Sequence, residues 1–384
     1  MSNTLVTIDM VTREALRIAH EKCQFISTTD RQYDSSFAKT GAKIGASLRV
    51  RKPNQYLRTQ GTRVMDVQEQ DEQTSTVTVA TQDHVDMRFN SAELALSLDE
   101  LSKRYIEPAV SSLVSAIEGD YLAYATKKTY NVVGTAGTAI TDLTAPGLAR
   151  ARLNQMLAPK DRNRAIQMDS VTMAGLVKGV AAYFNPSGAI SEQYREGLVA
   201  RTSMADYYEN ERVWTLTNSG DVTVTTAAAA AVTDGGTNIT LASVGAGDTT
   251  AGMTFTVAGV YACHPETKQS LGYLQPYVVI TGGATTQTVS PATILTGPRQ
   301  NVCSAASAQL ATTAYNGTAV AVTFFGAANT SYAQSLMYHK EAFQFVTADL
   351  PLMDDAHKCV RRSQDGLSLR VWQASDIRND ELLM

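Results

Sequence analysis

The sequence predicts an α+β protein that carries an inserted β-domain, and three patterns lead to this prediction. Helical and strand patterns alternate over residues 146–213 and return from about residue 331. Between them, residues 216–330 contain only six charged side chains and are rich in Thr, Ala, Gly and Val. Their short alternating runs between Gly-rich turns predict a small β-barrel or sandwich. Near the start, two alternating segments bracket a polar stretch, residues 57–75, which predicts a long hairpin.

The first predicted element is an amphipathic helix over residues 4–24. Its apolar stripe recurs at helical spacing and comprises Leu5, Ile8, Val11, Ala15, Ile18 and Ala19. A strand follows in which Leu48 and Val50 face one way and two arginines the other, until Pro53 ends it. A second alternating strand is predicted from Val77 through Val85 and Met87 to Phe89.

The polar segment between these strands carries its charges in a definite order. Arg58 and Arg63 come first, and Asp66, Glu69, Asp71 and Glu72 lie around the tip. One interpretation is an arm that reaches a neighbouring subunit, and the other is a solvated hairpin. The candidate inter-subunit residues are Arg49, Arg51, Arg58, Arg63, Asp66, Glu69, Asp71 and Glu72.

Residues 91–128 are predicted to form two helices in tandem, the second of them long. Asp99 can cap an N-terminus, and Pro108 suits the first position of the second helix. The predicted apolar stripe comprises Val110, Leu113, Val114, Ile117, Tyr121 and Tyr124. The opposite face, open to solvent or to a neighbour, includes Ser111, Ser112, Ser115, Glu118 and Asp120.

The α+β part is predicted to consist of two halves around the insertion. In the first half, a helix starts at Pro146, a short buried strand covers residues 164–168, and Ser170 caps the next helix. In the second half, strands are predicted around residues 343–346 and 367–371. An insertion of this kind requires that its two ends leave and return close together.

Charge is distributed unevenly along the chain. The net charge of −4 argues against a surface devoted to nucleic acid. Residues 1–63 have a balance of +6 and residues 64–120 a balance of −9. This asymmetry fits either solvated faces or head-to-tail docking of identical chains. Arg49, Arg51 and Arg58 could contact phosphates, but bridging to a neighbour's acidic segment is favoured.

The residue types that carry catalysis or bind metals show no known motif. The four cysteines form no close pair in sequence, which predicts reduced thiols in a cytosolic compartment. His264 and Glu266 suggest a metal site only weakly, since Pro265 separates them, and an exposed turn is favoured. His357 with Cys359 near Asp354 and Asp355 is interpreted as a solvated acidic loop. We therefore expect no enzyme activity, no cofactor and no metal. The start of the chain lacks a signal-peptide pattern, and no apolar run is long enough for a membrane span.

Four long stretches follow a pattern known from one family. They are RQYDSSFAKTGAKIGASLRVRKPNQY, TQDHVDMRFNSAELALSLDELSKRYIEPA, NPSGAISEQYREGLVARTSMADYYENERV and AGMTFTVAGVYACHPETKQSLGYLQPYVVI. The chain resembles, from about residue 5 to 378, the major capsid (coat) proteins of short-tailed bacteriophages. Within them it is similar to the branch whose tailed-phage capsid fold has an inserted β-barrel-like domain.

The resemblance implies a domain layout. An N-terminal arm would occupy residues 1–40, and a strand with the extended loop 41–90. The spine helix and peripheral domain would cover 91–145. The remaining boundaries are an axial domain at 146–213, the inserted domain at 214–330, and the axial return with peripheral strands at 331–384.

The resemblance also implies a function. The chain would assemble with itself into hexamers and pentamers of an icosahedral shell in the host cytoplasm, helped by a scaffolding protein and a portal. The shell would expand around double-stranded DNA, held non-specifically, and a decoration protein is a further implied partner. A tail-tube or adhesin component is the alternative, and a hydrolase is the least favoured class.

Two departures from the family pattern affect these expectations. Some relatives crosslink their subunits by a Lys–Asn isopeptide bond from the extended loop, but no lysine occurs between Lys52 and Lys103. This Lys–Asn isopeptide mechanism is therefore excluded for the loop. Relatives also continue past the segment DIRND into a further peripheral strand, which we expect to be missing, altered or replaced at residues 381–384.

Overall fold

The computed structural model of the protein contains both helices and β-sheets. The structure describes residues 8–31, 47–61, 67, 72–78, 81–90, 102–180, 203–219, 223–225, 233–242, 249–308, 310, 320–347, 352, 358–364, 367–376 and 381–383. Several predictions concern positions outside the described residues. They involve Leu5, Arg63, Asp66, Glu69, Asp71, the first of the tandem helices with Asp99, Asp354, Asp355 and His357.

The helices in chain order are α1 Ile8–Lys22, α2 Phe25–Thr28, α3 Glu107–Lys128, α4 Thr144–Gln155 and α5 Ser170–Val180. A π-helical turn, Ser102–Ile106, leads into α3, so Pro108 is the second residue of that helix. Asp169 accepts the backbone N–H of Thr172 at 3.3 Å. The helix begins at Ser170, so Asp169 occupies the N-cap position that the sequence predicted for Ser170.

The first six strands are β1 Ser47–Arg51, β2 Thr74–Thr78, β3 Arg88–Asn90, β4 Arg164–Met168, β5 Asp206–Glu209 and β6 Thr215–Thr217. The next seven are β7 Thr223–Thr225, β8 Gly236–Thr240, β9 Thr254–Cys263, β10 Ser270–Thr281, β11 Thr286–Thr293, β12 Val302–Cys303 and β13 Ala321–Phe324. The last five are β14 Ser331–Ala333, β15 Leu336–His339, β16 Lys358–Gln364, β17 Leu367–Asp376 and β18 Glu381–Leu383.

Two compact units divide the chain. Unit 1 comprises Met1–Lys52, Gln73–Tyr121 and Lys340–Met384, and unit 2 comprises Pro53–Glu72 and Leu122–His339.

Unit 1 is built on a four-stranded antiparallel sheet in the order β16-β17-β18-β3. Its core joins the apolar faces of α1 and α3, and includes Val11, Ala15, Ile18, Ala19, Ile106, Val110 and Val114. The helix predicted at the start of the chain is confirmed over Ile8–Lys22. Arg362 on β16 donates to Asp9 on α1 at 2.8 Å, which fixes the end of the helix against the sheet.

Two strand predictions in unit 1 need correction. The strand expected from Val77 to Phe89 ends at Thr78, and residues 81–87 form no strand before β3 begins at Arg88. Residues 343–346, where a strand was expected, form only an isolated bridge between Gln344 and Asp30. The strand nearest to them is β15, which ends at His339. Alternating apolar residues mark both predicted segments, but strand pairing depends on the partner that the fold supplies.

The C-terminal residues form a short strand. Residues 381–383 form β18, which pairs with β17 on one side and β3 on the other. Of the three alternatives expected for the strand beyond DIRND, this three-residue strand fits an altered one.

The buried stripe of α3 differs from the predicted one. Val110 and Val114 are buried as expected, but Tyr124 is 59% exposed. Leu122 and Ala125 are fully buried in its place, and Glu118 of the predicted polar face is also fully buried. The buried positions follow spacings of four, so the stripe winds around a helix that has different neighbours along its length.

The α+β part of unit 2 is a three-stranded sheet in the order β15-β4-β5, with β4 and β5 parallel. All five residues of β4 are buried, which confirms the short buried strand predicted at 164–168. Its core brings Ile166 and Met168 from β4 against Met173 and Leu176 from α5.

The Thr- and Gly-rich segment forms a seven-stranded antiparallel sheet. Its order is β7-β13-β9-β10-β11-β8, and β12 pairs with β9. All the buried residues of its core lie between Leu216 and Phe324. Closure of this sheet into a barrel stays a prediction, because the described residues include no pairing of β7 with β8.

The two ends of this segment are adjacent. β6 pairs with β14 in antiparallel register, so Thr217 lies opposite Ser331 and Thr215 opposite Ala333. Trp214 and Gln334 extend this pairing through a backbone hydrogen bond of 3.0 Å. The chain therefore leaves the α+β part and returns to it at one place.

Candidate assembly surface

The hairpin predicted near the start forms a two-stranded ribbon. β1 and β2 pair in register, with Leu48 opposite Val77 and Arg51 opposite Thr74. Among the described residues these two strands pair only with each other. A two-stranded ribbon is marginally stable by itself in water. Its stability therefore depends on additional packing.

Both faces of the ribbon are open to solvent. On the arginine face, Arg49 and Arg51 are exposed, and on the other face Val50 is 37% exposed. The loop beyond β1 is exposed along residues 55–61. It displays apolar side chains too, with Tyr56 at 56% and Val67 at 82% exposure. Several exposed apolar groups on one extended feature are typical of a surface that a partner covers.

The structure tests only part of the predicted contact set. Arg49, Arg51, Arg58 and Glu72 are all exposed, as an intermolecular contact requires. The other four candidates lie outside the described residues. The described ranges thus leave the pairing of basic and acidic candidates across subunits as a prediction.

Glu118 belongs to the fold of unit 1 and does not face a neighbour. Its carboxylate accepts the backbone N–H of Gln24 at 2.8 Å and also that of Phe25, at the start of α2. Both donors belong to the first turn of a helix, where N–H groups have no partner within the helix. Sequence reasoning placed Glu118 on the wet side because its partners lie 93 and 94 residues away.

The turn around His264 is held by its own hydrogen bonds. The ring Nδ1 of His264 accepts the backbone N–H groups of Glu266 and Thr267 at 3.2 Å each. The ammonium of Lys268 donates to the carbonyls of Pro265 and Pro298 at 2.5 Å each. These contacts organise a turn. Within the described residues, no group of three or more His, Cys, Asp or Glu side chains could hold a metal ion.

Cys263 and Cys303 are distant in sequence but lie on adjacent strands. β12 pairs with β9 so that Cys303 lies opposite Tyr261 and Val302 opposite Ala262. Both thiols are buried and free. Burial raises the pKa of Cys263 to about 12 and also raises the pKa of Cys303. Protonated, buried thiols are poor nucleophiles, so this pair does not suggest covalent catalysis.

A polar cluster that the sequence did not reveal lies at the end of β4. Arg164 is buried and donates to the carbonyls of Ala158 and Pro159 at 3.0 and 2.8 Å. His339 Nε2 lies 2.9 Å from Asp161 Oδ1. The pKa of Asp161 is lowered, mainly by the backbone N–H of Asn163 and also by His339. The cluster fastens the segment after α4 to the sheet, a structural role.

A cavity of about 640 Å³ lies in unit 2 beside α4. Its charged lining residues are Asp142 and Arg152. Asp142 accepts the backbone N–H of Thr144 at 2.9 Å, and Arg152 lies over the ring of Tyr273. Both groups are engaged in local structure, and this lining shows no nucleophile next to a base.

No helix in the part of the chain that the structure describes is long and apolar enough to cross a membrane.

Comparison with known proteins returns distant structural likenesses. No family model and no curated protein matches the chain. A solved structure of mycobacterium phage Che8 matches 79% of this chain and 90% of its own, at 11% identity and a TM-score of 0.38. The capsid structure of cyanophage P-SCSP1u matches 47% of this chain and 62% of its own, at 12% identity and a TM-score of 0.33. A virus-like particle from Pyrococcus furiosus matches 73% of this chain and 92% of its own, at 9% identity and a TM-score of 0.25. At these TM-scores the likenesses do not establish the family of the chain.

Proposed function

We propose that this chain is the major capsid protein of a bacteriophage, a structural subunit that assembles with itself into a closed shell around double-stranded DNA. The observation that carries the proposal is the ribbon β1–β2 with its loop, which is exposed on both faces and displays apolar side chains. Such a feature gains stability when another subunit covers it.

The sequence resemblance supports the same function. It extends over nearly the whole chain, and it implies the short-tailed phage group, assembly on a scaffolding protein with a portal, and expansion during DNA packaging. The adjacent ends of residues 214–330 support an inserted domain, because an insertion must leave and return at one place. A decoration protein would be a further partner of the shell.

Non-covalent contacts would hold this shell. The loop beyond Lys52 contains no lysine before Lys103, so a lysine-derived isopeptide link cannot start from this loop. Permanent assemblies bury more than the roughly 1,600 Å² of a standard interface. Exposed charge pairs stabilise an interface by only about 0.2–1 kcal/mol each. They therefore favour the correct register and reversible assembly more than strength.

A tail-tube or adhesin component is the second candidate. The observation that favours it is the Thr- and Gly-rich seven-stranded sheet, whose composition suits an extracellular or tail protein. Rings or fibres, and not closed shells, would be the assembled form.

Electron microscopy distinguishes these functions. The chain is expressed in bacterial cells, with and without a scaffolding protein, and the particles are imaged by negative stain. Closed shells are expected. Stacked rings or fibres would favour the second candidate, and small oligomers under both conditions would contradict assembly altogether.

A matched pair of variants tests the role of the hairpin loop. Val67 and Val171 are similarly exposed, at 82% and 80%, but Val67 lies in the loop and Val171 in α5. Val67→Asp is expected to lower the yield of assembled particles strongly, because a charge would be buried against the neighbour. Val171→Asp is expected to assemble normally. Equal yields would remove the loop from the interface.

A further inference from the structure

The cavity of about 640 Å³ in unit 2 lies where several parts of that unit meet. One wall is a face of α4 that includes Leu148, Arg152 and Leu153, at helical spacing. The other walls come from the connection at residues 131–142, from β4, and from the Thr- and Gly-rich segment. The volume falls within the range of roughly 300–1,000 Å³ that is typical of small-molecule sites.

Two buried polar atoms of this lining have no hydrogen-bond partner among the described residues. They are Nη1 of Arg152 and Oδ1 of Asn131. The large majority of buried polar side-chain atoms in proteins do have a partner, and leaving one unsatisfied destabilises the fold. Two such atoms on one lining therefore indicate a place for a polar ligand group.

Stacking holds the guanidinium of Arg152 in place. Its Cζ lies 3.1 Å from the centroid of the Tyr273 ring on β10. Stacking occupies the flat face of a guanidinium, whereas the N–H groups point outward in its plane and can still donate. Arg152 is thus a positioned cation with an N–H group directed away from the ring that it covers.

Asn131 belongs to the same region of the cavity. Burial raises the pKa of Tyr130, and the neighbouring phenol of Tyr273 raises that pKa further. The chain at residues 130–131 therefore passes beside the ring that Arg152 covers. A side-chain amide such as that of Asn131 can present either its oxygen or its NH₂ group to a ligand.

The charges around the cavity favour an anion beside Arg152. The lining contains one other charged residue, Asp142, whose exposed carboxylate accepts the backbone N–H of Thr144 at the start of α4. Arg152 is eight residues beyond Thr144, which corresponds to about 12 Å along the helix. Asp142 therefore lies at the far end of this helix face and does not neutralise Arg152.

The remaining lining suits an aromatic ring. Trp214, Phe325 and Tyr332 all contribute aromatic side chains to it. Aromatic groups pack favourably against one another in offset-stacked or edge-to-face arrangements. Lys127 lies 5.1 Å from the centroid of the Trp214 ring and brings a second positive charge near the cavity.

We propose that this cavity binds a small aromatic carboxylate, whose carboxylate accepts from Arg152 and Asn131 and whose ring packs against Trp214. A hydrogen bond between a guanidinium and a carboxylate is charge-assisted and about twice as strong as a neutral one. The cation therefore gives the site its preference for an acid over a neutral molecule of the same shape.

Tryptophan fluorescence tests the proposal on the full chain. The sequence has two tryptophans, so Trp372→Phe leaves Trp214 as the only reporter. The probe is 4-bromobenzoate, because a bromine atom in contact with an indole quenches its fluorescence. The control is 4-bromobenzamide, which has a similar shape but no charge. The acid is expected to quench Trp214 saturably, and the amide to bind about tenfold more weakly or worse.

Two arginine variants in the same background test the contact with the anion. Arg152→Gln is expected to weaken binding of 4-bromobenzoate about tenfold or more, because it removes the cation. Arg150→Gln is expected to bind as before, since Arg150 is exposed on the same helix and lies outside the lining.

Three outcomes would overturn the proposal. They are quenching that rises linearly without saturation, equal binding of the acid and the amide, and unchanged binding by Arg152→Gln. The comparison of acid with amide keeps Arg152 intact, so it decides the matter even if Arg152→Gln fails to fold.

This inference goes beyond the proposed shell function. Ligand binding is read by fluorescence, while shell formation is read by microscopy. Either result can therefore fail without the other.

Discussion

A single buried carboxylate links the long helix α3 to the N-terminal segment. Glu118 has no exposed surface, and it accepts two backbone N–H groups at the start of α2. These donors carry the partial positive charge of a helix N-terminus, which compensates part of the cost of burying a carboxylate. Phe25, one of the two donors, also packs against Tyr121 at 4.8 Å between ring centroids.

Removal of this carboxylate is expected to destabilise unit 1. Glu118→Ala leaves the buried N–H of Phe25 and the part-buried N–H of Gln24 without this acceptor, and a buried group that loses its partner costs about 1–3 kcal/mol. We expect the free energy of unfolding in urea to fall by about 2–4 kcal/mol. Asp120→Ala, at an exposed position of the same helix, is the control. Equal losses in the two variants would show that the cap contributes nothing.

Gly252 is required for a close approach between Trp214 and the loop before β9. Its φ is +97°, and a Cβ at this position would lie 2.4 Å from the Trp214 ring and 3.2 Å from Cγ of Lys127. Gly252→Ala is expected to lower the melting temperature through both backbone strain and displacement of the indole.

A second glycine, Gly235, distinguishes the cost of backbone strain from the cost of displacing the indole. Gly235 has a φ of +70° but nothing within 4 Å of an added Cβ. Gly235→Ala is therefore expected to cost only the backbone strain, about 1–2 kcal/mol, and Gly252→Ala to cost clearly more. The measurement is thermal unfolding followed by tryptophan fluorescence. Identical melting temperatures would mean that Trp214 yields without cost.

At the residue scale, periodicity predicts burial well where one neighbour covers a helix along its length. The stripe of α1 is confirmed from Ile8 to Ala19 because this face of the helix packs into one core, which α3 and the sheet of unit 1 also line. On α3 the same reasoning fails at Tyr124, which is exposed, and at Glu118, which is buried because it accepts the backbone N–H groups of Gln24 and Phe25. The spacing of apolar residues cannot reveal that a polar residue is buried when its hydrogen-bond partner is a backbone group far away in the sequence.

At the scale of elements, the hairpin is the feature that depends most on a partner. Its arginines precede its carboxylates along the loop, so two copies could pair base to acid. Arg58→Glu with Arg63→Glu is expected to reduce assembly, measured as the fraction of protein that sediments as shells. The physical reason is repulsion between like charges at the contact.

A second charge reversal, of the acidic residues that the arginines would contact, provides the control for this prediction. Reversing Asp66, Glu69, Asp71 and Glu72 to Lys in the same chain is expected to restore assembly in part, if the two sets pair across subunits. Unchanged assembly of the arginine variant would show that charge does not guide docking. Salt should weaken the wild-type interaction as well, since exposed charges are screened over about 8–10 Å at physiological ionic strength.

Element prediction succeeded where a local pattern decides the structure and failed where pairing is remote. β1, β4 and α1 follow from alternation, an apolar run and a helical stripe. β18 has three residues and exists because β17 and β3 leave room between them. Residues 81–87 alternate like a strand but are almost wholly exposed, because no strand lies beside them among the described residues.

At the scale of the whole molecule, the Thr- and Gly-rich segment has a core of its own. Its buried members, such as Phe255, Tyr277 and Phe324, all come from residues 216–324. We therefore expect a fragment of residues 216–330 to fold alone and to give a dispersed amide NMR spectrum. A second fragment, 213–334, retains Trp214 and the full pairing of β6 with β14. Collapsed spectra from both would show that the core needs the rest of unit 2.

Composition alone indicated this domain, because a run with six charges in residues 216–330 stands apart from its flanks. Composition does not give the order of the sheet, in which β9 pairs with β10, β12 and β13. It also gave no sign that Cys263 and Cys303 adjoin. These contacts arise from folding over long sequence separations, which single-sequence patterns do not encode.

The pairing of β6 with β14 has a practical consequence for engineering this protein. Cross-strand neighbours such as Thr217 and Ser331 are about 5 Å apart, a gap that a two-residue turn can close. Residues 218–330 could then be exchanged for a short Asn-Gly turn, or for a foreign domain whose termini are similarly close. The α+β framework would keep its path on either side of the graft, which makes this position a natural acceptor for displayed cargo.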